Sequence, residues 1–125
     1  MLYHADTAAG HVIAHDVSAA GEVSGRRVFA ALPRGAPDGL CVDAAGGVWV
    51  AAWGGGCALR FAADGALALT LEVPARQVTS VCLGGRDGRD LIAVSADHRE
   101  HPERGGTIFR TRVEVPALPP ALARI

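Results

Sequence analysis

The chain has 125 residues, half of them hydrophobic and a fifth charged, with a formal net charge of −1 at pH 7. That length allows one domain of ordinary size with a small core. A near-neutral balance offers no electrostatic grip on nucleic acid or on an anionic membrane. All 12 basic residues are Arg, and there is no Lys and no Asn. Apolar stretches are broken by Arg, Asp, Glu or Gly well short of the roughly 18 residues a membrane-spanning helix needs. The start, Met1-Leu2-Tyr3-His4-Ala5-Asp6, shows no basic region followed by an apolar core, so no secretory signal is predicted and a cytoplasmic location is expected. Cys41, Cys57 and Cys82 are odd in number and lack CxxC spacing. They are expected to be small buried apolar residues rather than a disulfide framework or a zinc knuckle.

Short β-like runs follow one another along the chain: Leu2–Ala5, His11–His15, Arg27–Ala31, Leu40–Val42, Val48–Trp53, Ala58–Phe61, Ala66–Val73, Ser80–Leu83, Leu91–Ser95 and Thr107–Val113. They are rich in Val, Ile, Leu and aromatic residues. Turn signals separate them, among them Ala44-Ala45-Gly46-Gly47, Gly54-Gly55-Gly56 and Ala63-Asp64-Gly65. No window of twelve or more residues holds a convincing 3.6-residue period. An all-β fold is predicted.

The pattern repeats. The stretch from Gly10 to Trp53 lines up with that from Gly56 to Ala96. Pro33 matches Pro74 and Cys41 matches Cys82, each 41 residues apart, and Trp49 matches Ile92 at 43. A third copy opens at Gly106-Thr107-Ile108-Phe109-Arg110, and Leu2–Asp6 resembles the Val48–Trp53 strand of a copy. A period in the low forties with four strands per repeat marks propeller blades. About two and a half to three such blades fit in the chain, too few to close a ring. A two-sheet sandwich also accounts for many short strands, but not for the repeat.

The run Pro37-Asp38-Gly39-Leu40-Cys41-Val42-Asp43-Ala44-Ala45-Gly46-Gly47-Val48-Trp49-Val50-Ala51 resembles the central signature of the gluconolactonase / regucalcin (senescence marker protein) / luciferin-regenerating-enzyme-like family. The likeness continues through Trp53-Gly54-Gly55-Gly56, Leu59-Arg60-Phe61, Thr79-Ser80-Val81-Cys82-Leu83-Gly84-Gly85 and Gly105-Gly106-Thr107-Ile108-Phe109-Arg110. It covers residues 1–125 and is strongest over 2–112. It implies a six-bladed β-propeller of which this chain is the C-terminal part, so the chain is expected to be a truncated member.

The resemblance also implies an activity: hydrolysis of a sugar-acid lactone, helped by a divalent ion (Ca, Zn, Mn or Mg) in the central channel and by a carboxylate that moves protons. The family's ligands are a Glu near the N-terminus, an Asn from mid-chain and the Asp of Pro-Asp-Gly. That last residue is Asp38, which is thereby assigned as metal ligand and catalytic carboxylate. No residue here can supply the Asn. Activity of the chain by itself is therefore expected to be impaired. The other reading is a non-catalytic propeller fragment, a structural or interaction module that self-associates through open blade edges.

Thr79 and Ser80 occupy in the next blade the place of Asp38 and are candidates for lining the channel mouth, though they also suit the opening of a strand. Asp97, His98 and His101 suit a solvated loop. His4, Asp6, His11, His15 and Asp16 alternate as on an exposed strand face. Trp49 and Trp53, four apart, should share one strand face and pack between blades. No GxSxG, Walker A, GxGxxG, HExxH or EF-hand loop occurs.

Overall fold

A computed structural model describes residues 1–96 and 105–119. Ten strands run in order: β1 (Leu2–Asp6), β2 (His11–Val17), β3 (Val23–Ala31), β4 (Ala36–Val42), β5 (Val48–Trp53), β6 (Cys57–Phe61), β7 (Leu67–Glu72), β8 (Val78–Gly84), β9 (Asp90–Ser95) and β10 (Ile108–Arg112). The described residues contain no helix, so none is long and apolar enough to cross a membrane. Each predicted run coincides with one of these strands.

The strands form three antiparallel sheets, ordered β1-β2-β3, β4-β5-β6-β7 and β8-β9-β10. One complete four-stranded blade is thus flanked by two three-stranded ones, a partial β-propeller. The blade boundaries fall between β3 and β4 and between β7 and β8, next to Pro33 and Pro74. The repeat read from the sequence instead begins in the middle of one blade and ends in the middle of the next. A period fixes the length of a repeat but not its starting point, which is set by strand pairing.

The middle sheet is buried on both faces, and its strands show why. Along β5, Val48, Val50 and Ala52 point into a cluster with Val12, Ala30, Leu59 and Phe61, filling the space toward the first sheet. Trp49 and Ala51, on the opposite face, join Ala58, Val78, Val81, Leu91 and Ala93 against the third sheet. A strand covered on both sides reads as a continuous apolar run, as Val48–Trp53 does. Each fully buried Val or Leu here contributes about 1.5–3 kcal/mol. The outer strands β3 and β7 are mostly exposed, and their polar and apolar residues mix freely.

Two expectations fail at the margins of this core. Trp49 is 1% exposed, but Trp53 is 38% exposed, because it ends β5 where the blade stops. Cys57 is buried and Cys41 half-buried, yet Cys82 is exposed. Strand alternation turns Cys82 away from its neighbours Val81 and Leu83, which face the middle sheet.

After β10 the chain returns across the molecule. Val113 N–H donates to Arg89 O at 2.9 Å, Ala117 N–H to Gly88 O at 2.8 Å, and Ala44 N–H to Pro116 O at 2.9 Å. Residues 113–117 therefore tie the β4–β5 turn of one blade to the β8–β9 turn of the next.

Candidate functional site

Asp38 lies in β4, where the pairing with β5 slips. Pro37 pairs with Ala52 and Leu40 with Val50, so Asp38 and Gly39 together oppose Ala51 alone. This is a β-bulge, which releases residues from the ladder and re-aims them. The same slip recurs one blade later. Val78 pairs with Ser95 and Ser80 with Val94, leaving Thr79 as the extra residue. Thr79 thus corresponds to Asp38, and Ser80 to Gly39.

These two bulges meet. A Cβ placed on Gly39 would lie 2.7 Å from Ser80 Cα and 2.6 Å from its Oγ. Only a residue without a side chain lets β4 and β8 approach so closely. The structure therefore brings Asp38 and Gly39 beside Ser80. On the other flank, the Thr7 hydroxyl donates to Pro37 O at 2.8 Å, drawing the end of the β1 blade to the bulge. Thr79 turns its hydroxyl inward, donating to Val94 O at 3.2 Å, which fixes its own bulge. Ser80 is exposed.

The carboxylates differ in what engages them. Asp6, Asp16, Asp43, Asp64, Asp87 and Asp90 each accept at least one hydrogen bond. Asp38 is half-buried, and no described residue donates to it or pairs with it. A half-buried carboxylate left without a partner is available for a ligand, where the other aspartates are committed to structure.

Asp43, five residues on in the same signature, is one of those committed residues and a site the sequence reading passed over. It is fully buried and accepts from Arg60 Nε at 2.7 Å, Gly47 N–H at 2.9 Å and Ala45 N–H at 3.0 Å. Its signal was present: an Asp opening a Gly-rich turn folds its side chain back on the turn's backbone N–H groups. Among the other polar candidates, His4 and His15 stack with ring centroids 5.8 Å apart on the outer side of the first blade, and Asp16 pairs with Arg27 at 3.0 Å. Asp97, His98 and His101 lie outside the described residues.

The family model for the SMP-30/Gluconolactonase/LRE-like region matches residues 1–97. The chain belongs to this family. Among similar members, regucalcin of Danio rerio is 35% identical over 131 residues, spanning 96% of this chain and 44% of that protein. The pentonolactonase XacC of Haloferax volcanii is 44% identical over 78 residues, spanning 61% of this chain and 27% of that one. A solved structure of the calcium-binding protein regucalcin from Agrobacterium tumefaciens superposes with a TM-score of 0.86 at 28% identity, over 98% of this chain and 45% of that one. This member of the family therefore spans less than half the length of the relatives it matches.

Against that background the donor set of the Asp38 bulge is sparse. No three His, Cys, Asp or Glu side chains converge on one point among the described residues. Beside the bulge lie the Ser80 hydroxyl, next to Gly39, and the already engaged Pro37 carbonyl. A calcium ion takes about six to eight oxygen ligands. The described residues supply one anionic ligand, which does not fit a complete divalent-ion site.

Proposed function

We propose that the chain is the C-terminal part of a sugar-lactone hydrolase in which Asp38 is the reacting carboxylate. The observation that carries this reading is that Asp38, on a bulge, alone of the described aspartates has no partner, in a chain similar to lactonases of the family. Hydrolysis of a lactone adds water to the ring carbonyl and breaks the ring C–O bond. An ionised carboxylate beside the attacking water accepts its proton and can return one to the leaving alkoxide. The Ser80 hydroxyl beside the bulge is suited to hydrogen-bond a sugar hydroxyl, and Thr79 to hold the second bulge in shape. The family resemblance adds a divalent ion (Ca, Zn, Mn or Mg), to which Asp38 would contribute one ligand, the remaining ones coming from outside the described residues. Three free cysteines suit a reducing, cytoplasmic setting.

The test is hydrolysis of gluconolactone by the 125-residue chain, with and without each ion, against Asp38→Ala. Wild-type turnover above the uncatalysed rate, lost in the variant, supports the assignment. Equal rates for the two proteins overturn it.

A second reading has its own observation. In the outer blades, strands β1 and β10 each have one edge unpaired among the described residues, and Ile108 on β10 is 70% exposed. Open edges of this kind pair with another copy. The chain would then act as an interaction module. Light scattering tells the two apart: a monomer that hydrolyses lactone removes the second reading, and an inactive dimer removes the first.

A further inference from the structure

Trp53 breaks the rule of its own strand. From Val48 to Ala52 every residue of β5 is buried, while Trp53 is 38% exposed. Its backbone is nonetheless fixed from two directions, pairing with Ala36 of β4 and bridging to Gln77, just before β8. Gly35 closes against it so tightly that a Cβ there would lie 2.7 Å from Trp53 O. The next three residues, Gly54-Gly55-Gly56, have no side chain to lay over the indole. An accessible aromatic group on an immobile backbone costs little further ordering when a ligand lies against it.

The strand register puts this residue near the Asp38 bulge. Asp38 and Gly39 oppose Ala51, two residues before Trp53. Ala51 faces the third sheet, and alternation turns Trp53 to the same side. The bulge leans that way too, since a Cβ on Gly39 would run into Ser80 of β8. Two residues along β5 and one step across to β4 separate the Cα atoms of Asp38 and Trp53 by about 8 Å. Side chains from both positions can reach a single sugar-sized ring.

We propose that Trp53 is the stacking platform for the sugar ring of a lactone bound beside Asp38. The face of an aromatic ring is negative. The C–H groups of a sugar ring are made slightly positive by the oxygens next to them, so one face of the sugar lies against the indole. The hydroxyls at the sugar's rim stay free for hydrogen bonds. The inference rests on the lactonase reading for the identity of the ring. Contact of this kind is made equally before and during reaction, so its loss raises KM more than it lowers kcat.

A ring that binds without reacting tests the platform apart from the chemistry. The pyranose anhydroglucitol keeps the six-membered sugar ring and has a methylene in place of the lactone carbonyl. In a nitrogen-labelled sample of the 125-residue chain, the two indole N–H cross-peaks are assigned with Trp53→Phe. Titration with anhydroglucitol should shift the Trp53 peak saturably and leave that of the buried Trp49 in place. Open-chain glucitol, which has no ring face, should bind more weakly. Followed on backbone amide peaks near the bulge, Trp53→Phe should bind anhydroglucitol within about threefold of wild type, and Trp53→Ala about tenfold more weakly. A Trp53 peak that does not move in the wild-type protein overturns the proposal. So does glucitol binding as tightly as the ring, or Trp53→Ala binding as well as wild type. Hydrolysis that depends on Asp38 but keeps its KM in Trp53→Ala also overturns it and leaves the lactonase reading standing. A Trp53 shift with anhydroglucitol, together with equal gluconolactone hydrolysis by wild type and Asp38→Ala, supports the platform and removes Asp38 as the reacting group.

Discussion

Replacing Asp43 by Ala tests whether the turn between β4 and β5 is held by one buried carboxylate. Asp43 is fully buried and receives three donors: Arg60 Nε, Gly47 N–H and Ala45 N–H. Removing one partner of a buried ion pair costs about 3–5 kcal/mol, because the other charge is left uncompensated. Here the Arg60 side chain is 16% exposed and can swing part-way to water, which favours the low end. The buried Gly47 N–H cannot move and loses its acceptor, which keeps the cost from falling further. We therefore expect a loss of about 3 kcal/mol. At about 4 °C per kcal/mol for a chain of this size, Tm falls by about 12 °C. Thermal melts followed by far-UV circular dichroism at neutral pH measure this. Arg60→Leu should cost at least as much, since it strands a buried carboxylate. The double variant should recover part of the loss, because neither charge is then left alone. A single Asp43→Ala drop below about 1 kcal/mol, or strict additivity of the two changes, would refute the reasoning.

Other consequences can be checked in the same way. Gly39→Ala should cost about 1–3 kcal/mol by forcing β4 and β8 apart, and it should lower any lactonase rate together with stability. Ser80→Gly in that background should restore part of the stability but not the rate, since it also removes the Ser80 hydroxyl. The Arg112 guanidinium beside Asp87 holds that carboxyl well below the usual carboxylate range. A depressed carboxyl pKa stabilises the fold above the ordinary value of about 3.9 and stops doing so as pH falls through the folded value. The Tm gap between wild type and Arg112→Leu should therefore be full at neutral pH and close as the solution is acidified below about 4. Burial pushes the Cys41 thiol up to about 12, and burial likewise raises Cys57. Alkylation near neutral pH should modify the exposed Cys82 first, as mass spectrometry of the peptides will show.

The strands were legible because short runs rich in Val, Ile, Leu and aromatic residues recur between turns marked by Gly, Pro or Asp. The middle blade was the clearest, since burial on both faces writes Val48–Ala52 as unbroken hydrophobicity. Blade boundaries were not legible, since which strands pair is a property of the sheet and not of the period. Cys82 shows a related limit. It is equivalent to Cys41 in the repeat, yet only Cys41 has a neighbouring sheet on its side of the strand. At the site, the motif singled out Asp38 and the repeat placed Thr79 and Ser80 alongside it. That Gly39 abuts Ser80, and that Asp38 alone of the described aspartates has no partner, appears only when every donor in three dimensions is assigned. Asp43 carried a readable turn signal but was overshadowed by the more familiar Pro-Asp-Gly beside it.

The paired bulges separate construction from chemistry. At the same address, one blade displays Asp-Gly and the next displays Thr-Ser, while the flanking ladder pairs, Pro37 with Ala52 and Val78 with Ser95, stay in place. Gly39 and Ser80 are fixed by the close approach of β4 and β8, whereas Asp38 and Thr79, one per blade, differ in chemistry at the same place. A fold built this way can be given a new specificity one letter at a time, blade by blade, while the rest of its text stays unchanged.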